Sequence, residues 1–184
     1  MAAIQDKIIL GLLMFRDRSA YDVKKAIENS TAFFYKASMG SIHPALKKLL
    51  ANKWVTVSDL VDNGRLKKIY AITPAGKDAY ISWLEQGLEA PDVRDETLVR
   101  LFFFGHLDEE SRREHIKIHI ALLDKKISRL SAMQEQMKKA GIPPAMREHA
   151  LFQLATLDHG VQYYRFTRNW YQDFFDKNFG EGSA

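Results

Sequence analysis

Near residue 52 the spacing of the apolar residues changes period, from the three-and-four repeat of a helix to the runs of extended chain, and this change restricts the fold more than any other feature. Upstream, Ile4, Ile8, Ile9, Leu12, Leu13 and Phe15 predict a first helix over 4–15, closed by the charged turn Arg16-Asp17-Arg18. Ser19-Ala20-Tyr21-Asp22 sets a hydroxyl three residues before a carboxylate, the pattern of a capping box, and Val23, Ala26 and Ile27 carry a second helix to about Asn29. The β-branched and aromatic stretch 31–35 fits a brief strand or an extended link. Ser38-Met39-Gly40-Ser41 then offers caps for a third helix with Ile42, Leu46, Leu49 and Leu50 on one side. Pro44 requires that helix either to begin late, near Ser41, or to have its ring clash relieved by Gly40 one turn back.

Downstream, Val55, Val57, Leu60 and Val61, then Leu66, Ile69, Tyr70 and Ile72, flank Asp62-Asn63-Gly64. Asn-Gly between two apolar runs signals a hairpin, because the tight turn needs residues that tolerate positive φ. Thr73-Pro74 reads as a cap with proline at the first position of a fourth helix over 75–86, and 87–92, containing Pro91, is the candidate boundary. Three helices, a hairpin and a further helix in that order describe a winged helix-turn-helix with a two-stranded wing. In that fold the third helix enters the DNA major groove and the hairpin tip follows the backbone or minor groove. The expected fold is thus mainly α, with a winged domain over 1–88 and a helical domain over 92–180.

The charge lies where this topology would use it. Of 27 basic and 23 acidic residues, 13 and 9 fall in 1–90, whereas 91–184 holds 14 of each, so the whole formal excess of +4 sits in the winged part. Between Lys36 and Lys68 there are seven basic residues against Asp59 and Asp62. Such a patch is a footprint for a polyanion, although a solvated basic face gives the same count. Lys47 and Lys48 fall on the polar side of the third helix and Arg65, Lys67 and Lys68 on the hairpin, so topology and charge select the same elements. Double-stranded DNA is therefore the expected partner, and a winged domain that docks on another protein is the alternative. The candidate contacts are Tyr21, Lys36, Ser38, Gly40, Ser41, His43, Lys47, Lys48, Arg65, Lys67 and Lys68. Lysines and arginine would meet phosphates, and Gly40, Ser41 and His43 would lie near base edges.

From Asp108, a plausible cap, to Ala140, followed by Gly141 and Pro143-Pro144, runs one uninterrupted helical pattern. Ile116, Ile120, Leu123, Ile127, Leu130 and Met137 alternate four and three apart with only Gln134 breaking the series, which is the 3.5-residue repeat of a coiled-coil seam and the candidate dimerisation surface. The stretch 146–179 supplies a partner helix, either folded back in the same chain or exchanged between two chains. A homodimer would put two recognition helices on a two-fold axis, matching a palindromic operator.

Ile9-Leu10-Gly11-Leu12-Leu13, Ser19-Ala20-Tyr21-Asp22, Ser41 to Leu49 with its central His43-Pro44, and Gly64-Arg65 through Lys67-Lys68-Ile69-Tyr70 to Ile72-Thr73 and Gly76 together resemble the PadR family of bacterial transcriptional regulators over nearly all of 8–80. Ala20 stands where that family usually has glycine and His43 where it usually has tyrosine, which bears on the contact made at that position. Arg94-Asp95-Glu96 with Leu98, Leu101, Phe102 and Phe104, and the aromatic stretch 163–170, resemble the branch with a long helical C-terminal domain. The resemblance implies a homodimeric, DNA-binding regulator, expected to be a repressor. An activator or a protein-interaction module without a small ligand is the other reading.

His115 and His119 have the spacing of a two-histidine metal site, but Lys117 lies between them and no glutamate does, so no metal or cofactor is expected. Eight of the 21 aromatic residues fall between Tyr163 and Phe179. Tyr163, Phe166, Trp170 and Phe174 read as core or interface packing, or as walls of a pocket for a small aromatic effector, with His159, Arg165 and Arg168 available to a carboxylate. There is no nucleophile motif, phosphate loop or spaced carboxylate pair, so no enzyme activity is expected. At 46% hydrophobic and 27% charged the composition is that of a globular protein, and no apolar run approaches the ~18 residues of a membrane span. Asp6, the charged residues after Phe15 and the absence of cysteine point away from a secretory leader and toward the cytoplasm.

Overall fold

The first helix, α1 (Ile4–Leu13), turns Asp6, Ile9, Leu10 and Leu13 inward, and the N-terminal unit is built on that stripe. The computed structural model describes residues 4–30, 35, 37–62, 65–88 and 95–180, apart from the side chains of Asp62 and Arg65. Within it the chain divides into two compact units, Met1–Pro91 and Asp92–Ala184. Helices α2 (Ala20–Ser30) and α3 (Met39–Ala51) add Val23, Ile27, Ile42, Ala45, Leu46 and Leu49 to the core. Each fully buried aliphatic side chain of this set contributes about 1.5–3 kcal/mol relative to exposure. Pro44 lies inside α3, so the helix starts ahead of it, and the residue one turn back, where the proline ring crowds the backbone, is Gly40. Of the stretch 31–35, only Tyr35 is among the described residues.

The hairpin consists of β2 (Val55–Asp62) and β3 (Arg65–Ile72), antiparallel in register from Val55 opposite Ile72 to Asp62 opposite Arg65. Its Asn63-Gly64 turn lies outside the described residues. Among the described residues of the ribbon Val55 and Tyr70 are buried, whereas Val57, Leu60, Val61 and Leu66 are exposed, because most of the ribbon projects past the core. A third strand, β1 (Arg18–Ser19), pairs with the other edge of β3, giving the order β1-β3-β2. The expected two-stranded wing is thus a three-stranded sheet. Two residues are too few for an alternating pattern to announce a strand, and here the extended chain entering the capping box of α2 forms it.

Helix α4 (Pro74–Leu84) starts at Thr73, whose Oγ1 accepts the Gly76 N–H at 3.1 Å. A Cβ on Gly76 would collide with the Trp54 carbonyl, so glycine lets this helix start against the end of the α3–β2 connection. Gly11 does the same for α1 and α4: a Cβ there would lie 2.8 Å from the Tyr80 hydroxyl.

The C-terminal unit runs α5 (Glu96–Phe102), a 3₁₀ turn over 104–106, α6 (Glu109–Lys139), a second 3₁₀ turn over 144–146 and α7 (Arg147–Phe179). Asp108 caps α6 by accepting the Ser111 N–H at 2.8 Å, and Gly141, at φ +65°, takes the left-handed conformation that ends it. The 31 residues of α6 extend about 46 Å, and α7 folds back along them. Gln134 bonds Asp158 and Arg168 bonds Asp124, pairings that only an antiparallel arrangement satisfies. The seam is therefore filled within one chain. Ile116, Ile120, Leu123 and Leu130 are buried and Ile127 and Met137 half-buried along α6, on which α7 of the same chain packs. Among the described residues no helix is long and apolar enough to cross a membrane.

Candidate nucleic-acid interface

Helix α3 buries Ile42, Ala45, Leu46 and Leu49, which leaves Gly40, His43 and Lys47 on a single exposed stripe at spacings of three and four. Ser38 is exposed just ahead of it. On the flank of the stripe, Lys48 reaches back to α1, where its Nζ lies 2.7 Å from Asp6 Oδ2. The Asp6 side chain is 2% exposed and that of Lys48 47%, so the carboxylate is internal and the ammonium straddles the boundary.

The start of α3 is held by a second polar set. Ser41 Oγ accepts the Ser38 N–H at 3.2 Å, donates to the Ser38 carbonyl at 3.0 Å and accepts Gln5 Nε2 at 3.1 Å. Tyr35 donates its hydroxyl to Gln5 Oε1 at 3.1 Å, and burial, with Asp6 nearby, pushes the Tyr35 pKa up. Ser41, expected near a base edge, is engaged inside the domain as a cap. No local pattern marks Gln5 or Asp6 as supports of this interface, although Asp6 sits three and four residues before Ile9 and Leu10, on the stripe that becomes the core.

The wing repeats this arrangement. Lys67 Nζ lies 3.2 Å from Asp22 Oδ2, which also accepts the Ser19 N–H at 3.2 Å and the Ser19 hydroxyl at 2.6 Å. The hydroxyl bond first, and Lys67 with it, holds the Asp22 carboxyl below its ordinary range against the opposing effect of burial. One carboxylate thus closes the capping box of α2 and ties the ribbon to it. Lys68 and Tyr21 are exposed. Lys36 and the side chain of Arg65 lie outside the described residues.

None of the expected effector residues lines the cleft that the described residues of the C-terminal unit form along α5 and α6. His159, Tyr163 and Phe166 are exposed on α7, and Trp170, 43% exposed, stacks on Phe174 with ring centroids 5.6 Å apart. Arg168 is paired with Asp124 at 3.1 Å. The cleft of this unit lies elsewhere, along α5 and α6, and takes only Tyr171 from α7. The aromatic spacing could not reveal this, because Tyr171 is offset from the stripe and faces α6. His115 and His119 line the cleft, packing on Phe104 and Tyr171 respectively, and no group of three or more metal-binding side chains forms among the described residues.

An exposed helical stripe beside a lysine-bearing β-ribbon, on a helix-helix-helix-ribbon-helix core, defines a winged helix-turn-helix DNA-binding protein. Residues 9–81 match the Transcriptional regulator PadR-like family and 93–176 match Virulence activator alpha C-term. The chain belongs to the PadR family of transcriptional regulators. It is 28% identical over 137 residues to the Negative transcriptional regulator PadR of Bacillus subtilis, covering 73% of this chain and 75% of that one. The crystal structure of smu.1604c from Streptococcus mutans superposes with a TM-score of 0.78 at 31% identity, over 94% of this chain and 98% of that one. Bacillus subtilis PadR in complex with operator DNA superposes at 0.81 with 21% identity, over 94% and 97%. The same protein in complex with p-coumaric acid superposes at 0.72 with 23% identity, over 93% of each. The last two likenesses speak for the fold.

Proposed function

We propose that this chain acts as a homodimeric repressor that binds a palindromic double-stranded operator and is released by a small aromatic effector. The observation that carries the reading is the stripe of Gly40, His43 and Lys47 on the outer face of α3, backed by the buried carboxylate of Asp6. Lys47 and Lys68 contact phosphates as free ammoniums; Lys48 and Lys67 do so while anchored to Asp6 and Asp22, which restricts their reach and orients them. Lys36 and Arg65 add to the same charge, and Tyr21 and Ser38 supply neutral contacts. Gly40 lets the DNA backbone approach the start of α3, and His43 reads a base edge from the first turns of the helix.

Repression and release are supported by the Bacillus subtilis relative, a negative regulator whose structures include complexes with operator DNA and with p-coumaric acid. A homodimer is supported by the apolar surface left on α7 once α6 is packed: Phe152, Tyr163, Phe166 and Trp170 are between 43% and 71% exposed along one helix. Surface of that kind, rimmed by polar residues, marks an interface. A second reading, an activator without a ligand, draws on the description of the family that 93–176 matches.

The test is a fluorescence-anisotropy titration of the full chain against the DNA upstream of its own gene and a scrambled duplex, at two salt concentrations. Preference for the native duplex that weakens with salt is expected. Weak binding that is equal for both duplexes and for genomic fragments would favour a protein-docking role for the winged unit.

A further inference from the structure

The recognition helix and the ribbon each carry a lysine doublet, Lys47-Lys48 and Lys67-Lys68, and both doublets are split in the same way. Lys48 Nζ lies 2.7 Å from Asp6 Oδ2, and Lys67 Nζ lies 3.2 Å from Asp22 Oδ2. Lys47 and Lys68 are exposed and close no ion pair among the described residues, although Lys68 stands opposite Asp59 across the ribbon. The two carboxylates belong to α1 and α2, so each lysine-bearing element is tied to a different helix of the core. Both are fixed in place. The Asp6 side chain is 2% exposed, and Asp22 also accepts the Ser19 N–H and hydroxyl. Arg18, whose Nε donates to the Leu12 carbonyl, feels the Asp22 charge as well.

The paired lysines keep part of their surface, 47% of the Lys48 side chain and 35% of that of Lys67. An ammonium has three N–H donors, so one can stay on the carboxylate while another meets a phosphate. The positive charge offered to that phosphate is then largely cancelled by the carboxylate in contact with it. Binding to DNA of any sequence is driven by counterion release, and each phosphate neutralised adds about 0.9 to the salt slope. A lysine already neutralised within its own protein adds little to that release. It still supplies a directed hydrogen bond, which forms only where the phosphate meets the fixed ammonium.

We propose that Asp22 and Asp6 are specificity-determining residues: by holding Lys67 and Lys48 they mute one lysine of each doublet toward random DNA and reserve it for the register of the operator. The inference rests on the operator reading above and goes beyond it, since neither carboxylate is itself a DNA contact. Free lysines strengthen binding to every duplex, whereas anchored ones strengthen it only where the recognition helix has seated the domain.

The test is a fluorescence-anisotropy titration of the full chain and its variants against the native and the scrambled duplex over a series of salt concentrations. Asp22→Asn keeps the capping box, because asparagine caps as well as aspartate and its amide oxygen can accept the Ser19 bonds, while the charge of Lys67 is released. It should bind the scrambled duplex about eightfold tighter near 0.1 M salt and steepen that slope by about one unit, the effect of one added phosphate contact, with a gain of only about twofold on the native duplex. Adding Lys67→Gln should return both quantities to their wild-type values. Glu28→Gln removes the same charge from the same helix, out of an ion pair with Lys24, and should leave the scrambled-duplex slope unchanged. Asp6→Asn, with its fold checked by circular dichroism, should act on the scrambled duplex as Asp22→Asn does. Unchanged scrambled-duplex binding by Asp22→Asn, an equal gain on both duplexes, or the same gain from Glu28→Gln would each overturn the proposal. A wild-type chain without preference for the native duplex would instead overturn the operator reading, and the scrambled-duplex slopes would still decide whether the carboxylates mute the lysines.

Discussion

Lys48 of the recognition helix places its Nζ 2.7 Å from the carboxylate of Asp6, a residue buried on the core side of α1. Its neighbour Lys47 points from the same helix into solvent. Two adjacent lysines, equivalent by charge, therefore have different jobs. Lys48→Met would strip a charged partner from a buried carboxylate and should cost the winged unit about 1–3 kcal/mol in urea unfolding. Lys47→Ala should leave stability within about 0.5 kcal/mol and flatten the salt dependence of operator binding by about one unit. Equal stability losses for the two would mean that the Asp6 pair contributes nothing special.

Gly76 sits where any Cβ meets the Trp54 carbonyl. Because the obstacle is backbone, it cannot swing away as a side-chain tip would. Gly76→Ala should destabilise the winged unit by about 1–3 kcal/mol or more, although alanine is the better helix former by about 1 kcal/mol. A thermal melt reads the outcome, and a stabilised variant would contradict the close approach of α4 to Trp54.

The C-terminal unit should respond to mild acid through His119. Burial lowers its folded pKa beneath the ordinary value near 6.5, with Asp95 opposing and Lys126 reinforcing the shift. As pH falls the unfolded chain takes up this proton first. Stability is therefore fully present above about pH 6.5, declines below it and levels off once the pH passes the folded value. Melts recorded across this range should show that slope, and His119→Gln should reduce it; an unchanged slope would assign the proton to another group.

The apolar residues on the outer side of α7 set up a test of assembly. Phe166 is 71% exposed and Trp170 43%, while α6 covers a different side of the helix. Phe166→Asp should shift sedimentation equilibrium toward a single chain and leave the circular-dichroism signal unchanged, since no core residue is removed. Loss of helicity instead would place Phe166 in the fold of the monomer.

Much of the architecture is legible in local sequence. Apolar periodicity locates the helices, Asn63-Gly64 announces the ribbon, and Thr73-Pro74 and Asp108 mark helix starts, because turns and caps are set by residues within a few positions of one another. The third strand is not legible, since two residues carry no period, and neither is the helix register around Pro44, where the choice between two starts belongs to the packing of Ile42 and Leu46 rather than to the proline alone. The seam of α6 is plain as a 3.5-residue repeat, yet that repeat is the same whether the partner helix comes from this chain or another; it took the fold to show α7 returning along it.

What the sequence determined by itself is the set of elements, their order and the concentration of positive charge on two of them. What only the tertiary structure decided is which of those charges are already engaged and which rings meet: Lys48 with Asp6, 42 positions away, Lys67 with Asp22, and Tyr171 with His119 beside an open cleft. Secondary structure depends on neighbours a few residues apart, and periodicity records them. Ion pairs and pockets depend on side chains brought together by burial from distant parts of the chain, and no local pattern encodes that meeting.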